Sequence, residues 1–356
     1  MDKLRFGLIG CGGISRIHSR ELLNLDEAEL VAVADKSPAS AQQLGESLNV
    51  DWYSDHRDLL ARDDIDVVNI LTPSGTHAEL VELAARHGKH VIVEKPLDVH
   101  LAPAERAIAA CRGAGVKLAV ISQHRFDQST MRVKEDMATG KLGAPVLAQA
   151  TVHWFRGQSY YTRSPGAGTW AMDGGGVLMI QALHTIDIMQ HIMGPVESVM
   201  GHTGTFTHDG IEVEDTAVAI LTFKNGALGT ISATTSAYPG LDTRLEVIGE
   251  QGSAVIRNHI LTRLYYREPG AAEGMFGSPA DNQAPEWTEN EGNAHRRQFL
   301  DMINAIREDR EPLVNGEESL HVLKVILAIY ESARTGKRVY VESITETPVY
   351  VRRGED

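Results

Sequence analysis

Cysteine is almost missing: Cys11 and Cys111 are the only two in 356 residues, which leaves no disulfide framework and no zinc-ligand spacing. Positive charge is also short, with 34 Lys and Arg against 48 Asp and Glu and a net charge of -14. That balance argues against nucleic acid or an anionic membrane as the main partner. No apolar run reaches the roughly 18 residues of a membrane span. The first residues, with Asp2, Lys3 and Arg5, are charged and lead straight into a strand pattern rather than a signal peptide. A cytoplasmic protein is expected. Internal repeats and low-complexity tracts are absent as well.

What is present suits a nucleotide-using enzyme. The hydrophobic fraction of 42% is ordinary for a globular chain, and the length suggests two domains. The chain opens with the strand pattern Leu4 to Ile9, passes into Gly10-Cys11-Gly12-Gly13-Ile14-Ser15, and continues with Ile14, Ile17, Leu22 and Leu25 at helical spacing. In this G-x-G-x-x-small pattern Gly10 makes the tight turn, Gly12 lets a pyrophosphate approach the backbone, and Ser15 is small where helix meets strand. A second strand pattern, Glu29 to Ala34, ends in Asp35, 23 positions after Gly12 and close to the roughly 20 expected of the acid that binds the adenosine ribose. A carboxylate there accepts hydrogen bonds from a 2′-OH and repels a 2′-phosphate, which favours NAD, with NADP possible through Lys36 and Ser37. Cys11 reads as a small residue tolerated in the turn, in preference to a reactive thiol.

Strand and helix patterns then alternate. Helices are expected near Ala39 to Ser47, Ala78 to His87 and Ala104 to Arg112, and strands at Trp52-Tyr53, Asp66 to Leu71, Val91 to Val93 and Lys117 to Ser122. Six strands of a doubly wound parallel sheet over residues 1–122 follow. Two turns share the ligand-binding edge of such a sheet with the glycine turn: Thr72-Pro73, with His77 beyond it, and Glu94-Lys95-Pro96. Pro96 disfavours a helical Lys95 and holds its backbone extended. The plainer reading of Glu94-Lys95 is an exposed pair in a turn.

From residue 123 the pattern changes. After a helix at about Ser129 to Thr139, strand patterns dominate: Val146 to Phe155, Val196 to Phe206, Glu214 to Phe223, Ala227 to Thr235, Arg244 to Ile248 and Ser253 to Arg257. Lys224-Asn225-Gly226 marks a hairpin. Residues 123–356 are thus expected to form an α+β domain around a large, mostly antiparallel sheet. A helix at roughly Val177 to Met193 follows Asp173-Gly174-Gly175-Gly176, residues 268–291 read as a surface loop, and helices near Ala294 to Glu308 and Glu317 to Thr335 are expected to cover the first domain.

The glycine turn, Thr72-Pro73 with His77, Glu94-Lys95-Pro96, and Gly174-Gly175-Gly176 followed by His184 and Asp187 together resemble the glucose-fructose oxidoreductase, inositol dehydrogenase and rhizopine-catabolism (Gfo/Idh/MocA) family. The resemblance implies a Rossmann domain, a C-terminal sheet domain that mediates homodimers or homotetramers, and NAD(P)-linked oxidation or reduction of a sugar, sugar derivative or inositol. It implies that Gly10, Gly12, Gly13, Ile14, Asp35, Thr72, Pro73, His77, Glu94 and Lys95 meet the cofactor, that Lys95 also touches the reacting oxygen, and that His184 is the acid/base.

Chemistry supports those two roles independently. Alcohol oxidation needs a base near neutrality, and an ammonium beside the same oxygen stabilises alkoxide. Asp187, one helical turn from His184, is expected to orient the imidazole. Many relatives carry Asp or Asn where this chain has Ile180, so Gln181 or Asp187 must supply the polar contact, or the pocket has an apolar wall. Arg125, Arg163 and Trp170 are further candidates for substrate contact, with Tyr160 and Tyr161 on the same segment. His184, Asp187 and His191 share a helix face but have no convincing further metal ligand. Two alternatives remain: a glycosidase-like enzyme that oxidises transiently with retained NAD, and a nucleotide sensor, which has no need of Lys95 and His184 together.

Overall fold

The computed structural model describes residues 2–162, 166–267, 283–285 and 293–346. Two compact units emerge: Met1–Gln123 with Ala171–Gly174 and Asn293–Leu323, and His124–Trp170 with Gly175–Gly292 and Lys324–Asp356.

The first unit is a six-stranded sheet of β1 (Leu4–Ile9), β2 (Ala28–Ala34), β3 (Asp51–Tyr53), β4 (Val67–Ile70), β5 (His90–Val93) and β6 (Leu118–Val120), in the order β3-β2-β1-β4-β5-β6. Every pairing is parallel. The order reverses between β1 and β4, so the crevice beyond their carboxyl ends is the ligand edge. The connecting helices are α1 (Ser15–Leu23), α2 (Pro38–Leu48), α3 (His56–Leu60), α4 (His77–Arg86) and α5 (Leu101–Ala114). Their ends follow local chemistry. Ser37 caps α2 by accepting from Ser40 N, with Pro38 as its first residue, and α5 stops at Gly115 in the left-handed region (φ 68°). Near-continuous apolar strands such as Val91-Ile92-Val93 are buried on both faces.

The core of this unit joins Phe6, Leu8, Leu22 and Ile92 to Phe299, Met302 and Ile303. Full burial of such side chains stabilises by about 1.5–3 kcal/mol each. The last three come from a helix far along the chain, Ala294–Arg307, which belongs to this unit.

The second unit carries α6 (Gln128–Ala138), α8 (Leu183–Met193) and an eight-stranded sheet; the short helix α7 (Trp170–Asp173) straddles the division of the chain. The strands are β7 (Pro145–His153), β8 (Val196–Gly204), β9 (Thr216–Phe223), β10 (Leu228–Thr234), β11 (Thr243–Gly249), β12 (Gly252–Arg257), β13 (Ile260–Tyr266) and β14 (Val339–Tyr340), ordered β13-β12-β11-β7-β10-β9-β8-β14. All pairs are antiparallel except β7 with β10. Alternation along β9 buries Ala217, Ala219, Leu221 and Phe223 and leaves Val218 and Ile220 exposed. One face of the sheet is therefore covered and the other open.

Two strands, β13 and β14, are additional to those the sequence suggests. The expected loop over 268–291 lies outside the described residues except for 283–285. The helix expected from Val177 begins instead as a π turn, Leu178–Ala182, that passes into α8. Its wider winding breaks the i, i+4 registry that sequence spacing suggests between Ile180 and His184. Among the described residues no helix is long and apolar enough to cross a membrane.

Candidate active site

The glycine turn lies between β1 and α1. Gly10 has φ +106°, and a Cβ there would come within 2.8 Å of the Leu71 carbonyl group, so both conformation and close approach require glycine. No atom lies within 4 Å of where a Cβ would stand on Gly12 or Gly13. The turn is thus closed beneath and open above, at the start of a helix whose free N–H groups suit phosphate. Asp35, at the end of β2, accepts from Cys11 N (2.8 Å) and Ser37 N (2.8 Å) and so holds the turn. Ser15 donates to Gly12 O at 2.6 Å, and Ile14 and Cys11 pack on the core. Burial, with the Asp35 charge, pushes the Cys11 thiol up to about 12, so it is no reactive thiolate. These residues fit a dinucleotide.

The loops after β4 and β5 are tied together. His77 is fully buried, with Nδ1 2.7 Å from Pro96 O and Nε2 2.7 Å from Thr72 O. It braces the Thr72-Pro73 loop against the Lys95-Pro96 loop, whose X–Pro bond is cis, and is itself buried behind them. Glu94 Oε2 accepts from Lys95 N (3.1 Å), and Oε1 lies 2.9 Å from His18 Nε2. Burial pushes the Lys95 ammonium below the ordinary lysine range, opposed by the charges of Glu94 and Asp173.

In the second unit a glycine run precedes the π turn. A Cβ on Gly176 would overlap the Glu214 carbonyl oxygen. The Glu214 side chain, 4% exposed, accepts from Gly176 N (2.8 Å), Leu178 N (2.9 Å) and the Tyr330 hydroxyl (2.9 Å). It satisfies donors at the start of the helical segment that carries Gln181, His184 and Asp187. Burial, only partly offset by these bonds, raises its pKa to about 7. Gln181 donates to the Tyr160 hydroxyl at 3.1 Å. His184 is half-buried, and its ring meets the His124 ring edge-on at 5.1 Å.

Arg125, expected on the substrate, places Nε 2.9 Å and Nη2 2.7 Å from the two oxygens of Asp187, and both side chains are 2% exposed. A bidentate buried pair of this kind fixes both partners. The Asp187 carboxylate, expected at His184, thus also holds Arg125. Trp170 packs edge-on to Tyr330 with its backbone N on Glu212 (3.0 Å). Arg163 lies outside the described residues.

Three groups escaped the sequence reading. Glu214 reads there as a strand-opening acid. Its neighbour Asp215 accepts from Phe206 N and Thr207 N and pairs with His208, bracing another loop. His259, on the turn before β13 at φ +68°, stacks on His124 (3.5 Å, 4° between planes). Burial and then the nearby His124 lower its pKa to about 4.

Among the described residues two clusters approach metal-ligand spacing, His18 with Glu94 and His295, and His124 with Asp127 and His259. The second is not shaped for an ion. A histidine lone pair lies in its ring plane, and the parallel, stacked planes of His124 and His259 cannot both contain one ion. In the other cluster His18 Nε2 is hydrogen-bonded directly to Glu94, and Nδ1 lies 2.9 Å from Asn69 Nδ2.

A strand, glycine turn and helix open to phosphate, with an acid ending the second strand and a half-buried lysine on the same sheet edge, define a dinucleotide-dependent oxidoreductase. The chain belongs to the Gfo/Idh/MocA oxidoreductase family: residues 4–122 match its NAD-binding Rossmann fold and 134–342 its C-terminal alpha/beta domain. It is 29% identical to the myo-inositol 2-dehydrogenase of Thermotoga maritima (96% of this chain, 99% of that protein). With the scyllo-inositol 2-dehydrogenase (NAD(+)) of Bacillus subtilis it shares 27% identity over 96% of this chain and 97% of that one. Among solved structures, the WlbA dehydrogenase of Bordetella pertussis in complex with NADH and UDP-GlcNAcA superposes with a TM-score of 0.84 at 33% identity, covering 95% and 98% of the two chains.

Proposed function

We propose that the protein oxidises a hydroxyl group of a sugar, sugar derivative or inositol with NAD, or catalyses the reverse reduction. The observation that carries this reading is Lys95, a half-buried lysine on the ligand edge of a dinucleotide-binding sheet, its backbone held by Glu94. A nicotinamide cofactor held at the glycine turn would supply the hydride acceptor. Lys95 stabilises the alkoxide that forms as the proton leaves, an interaction worth most in a dry site. His184 takes the proton. The Arg125–Asp187 pair and Glu214 act on His184 indirectly, by fixing the helix that carries it. Gln181 takes the polar role that relatives give to the residue at Ile180, with Tyr160 fixing its amide. The inositol and sugar dehydrogenases among the relatives support the substrate class, and Asp35 supports NAD over NADP.

A second copy of the chain is the expected partner. On the open face of the sheet Met200 stands beside Ile220, and Leu228 beside Thr222, with the three apolar side chains exposed. Such a stripe is suited to self-association.

The test is NADH formation from a panel of sugars, inositols and UDP-linked sugar acids with each nicotinamide cofactor. His184→Ala should lower kcat by about 10²–10⁴, and the loss of kcat/KM at acid pH should vanish with it. Sugar release without net NADH would replace the dehydrogenase with the transient-oxidation enzyme. A His184→Ala variant with the wild-type rate and pH profile would remove that residue from the chemistry.

A further inference from the structure

We infer that Asn69, His18 and Glu94 form a buried hydrogen-bonded relay that fixes Lys95 and sets its charge, making Glu94 a positioning residue for the lysine rather than a contact of the cofactor. The inference rests on the role given to Lys95 above.

Four elements converge on it. Asn69 lies on β4 and His18 on α1, both fully buried; Glu94 follows β5, and His295 comes from the Ala294–Arg307 helix. Asn69 Nδ2 stands 2.9 Å from His18 Nδ1, and His18 Nε2 stands 2.9 Å from Glu94 Oε1. An amide NH₂ only donates, so Nδ1 accepts and the ring proton sits on Nε2, where it donates to the carboxylate. Reversing the Asn69 amide would put the proton on Nδ1 and leave Nε2 as an acceptor facing another acceptor. For a neutral ring, this amide orientation is the one that satisfies both His18 links. The edges of His295 and Phe299 hold the ring, at 5.1 and 5.2 Å between centroids.

The charges point the same way. Burial pushes Glu94 up, but the hydrogen bond from His18, together with the charge of Lys95, outweighs it and brings the carboxyl to about 2. It is an anion throughout the working pH range. Glu94 and Asp173 both face Lys95 with negative charge and oppose the loss of its proton that burial favours. Both Glu94 oxygens are engaged inside the fold, and the side chain is 14% exposed. Both ring nitrogens of His18 and both oxygens of Glu94 are engaged, which rigidifies what they hold, while the buried Asn69 Oδ1 has no partner among the described residues.

The test uses the full-length enzyme, with NAD affinity read by protein fluorescence and kcat/KM followed across pH. Glu94→Gln keeps the shape and removes the charge. Its alkaline limb, where Lys95 loses its proton, should fall by about one pH unit or more, with the NAD dissociation constant within about threefold (about 0.7 kcal/mol). Glu94→Asp, which keeps the charge, should leave the limb near its wild-type position. His18→Leu should move the limb down, whereas His18→Gln, with a donor near the Nε2 position, should hold it; this pair carries the test if Glu94→Gln does not fold. An unmoved limb in Glu94→Gln, or NAD binding weakened about tenfold without a limb shift, overturns the relay and returns Glu94 to the cofactor. Lys95→Met separates the two readings: wild-type turnover removes the lysine and the relay together, while lost turnover with an unmoved Glu94→Gln limb removes the relay alone.

Discussion

The two glycine stretches of this chain look alike on paper and are used in opposite ways. Around Gly12 and Gly13 the missing side chains leave open space, and around Gly176 the space is filled by the backbone of Glu214. One stretch keeps room for a ligand, and the other keeps room for the protein's own acid. A glycine-rich motif therefore says that something comes close, and only the surroundings say what.

Substitution should separate the two. Gly176→Ala forces a methyl group into the Glu214 carbonyl, and overpacking of this kind costs about 3 kcal/mol. The melting temperature should drop clearly, with activity lost through the fold. Gly12→Val should do the reverse: melting of the cofactor-free protein within about 2 °C of wild type, since a cost below about 0.5 kcal/mol moves Tm little, but NAD affinity reduced by about ten- to a hundredfold (about 1.4–2.7 kcal/mol). If both variants lost stability alike, the contrast would collapse.

Glu214 sharpens the inward half of the comparison. Its carboxyl has a folded-state pKa of about 7, above its ordinary value of 4.5. The folded state thus holds the proton more tightly, and the group's contribution to stability is complete below about pH 4.5 and lost as pH rises through 7. The whole span is worth about 3 kcal/mol at most. Thermal melts from pH 5 to 8 should show a downward slope that flattens in Glu214→Gln. That variant should also be less stable at pH 5, because its NH₂ group faces a backbone donor. An unchanged slope would detach Glu214 from the effect.

The smallest change is expected at Asp35. Asp35→Ser should narrow the preference for NAD over NADP, and should also weaken NAD binding by a few-fold because a serine cannot reach both Cys11 N and Ser37 N. Higher wild-type kcat/KM with NADP would end the assignment.

The first unit was largely legible because its signals are local. The glycine turn, Asp35 and the Glu94-Lys95-Pro96 loop each occupy a few adjacent residues, and strand and helix periods alternate cleanly around them. The partnerships were not legible, because they span the chain. Glu214 meets Gly176, 38 residues earlier, and Tyr330, 116 residues later, so nothing beside it marks its role. Helical spacing relates Asp187 to His184, but nothing in the sequence near Asp187 reveals its bidentate pairing with Arg125, 62 residues earlier. The π turn has no period that apolar spacing reveals, so a continuous α-helix was the natural expectation there.

Asp35 has a consequence for how this scaffold can change. On the role proposed for Asp35, the two oxygens that would discriminate between cofactors also bind the backbone at Cys11 and Ser37. Cofactor choice and the shape of the phosphate turn are therefore inherited together. A chain drifting toward NADP must replace a structural tether in the same step that it admits a phosphate, so the route passes through at least two coordinated substitutions, and single-site variants along it should be poor with either nucleotide.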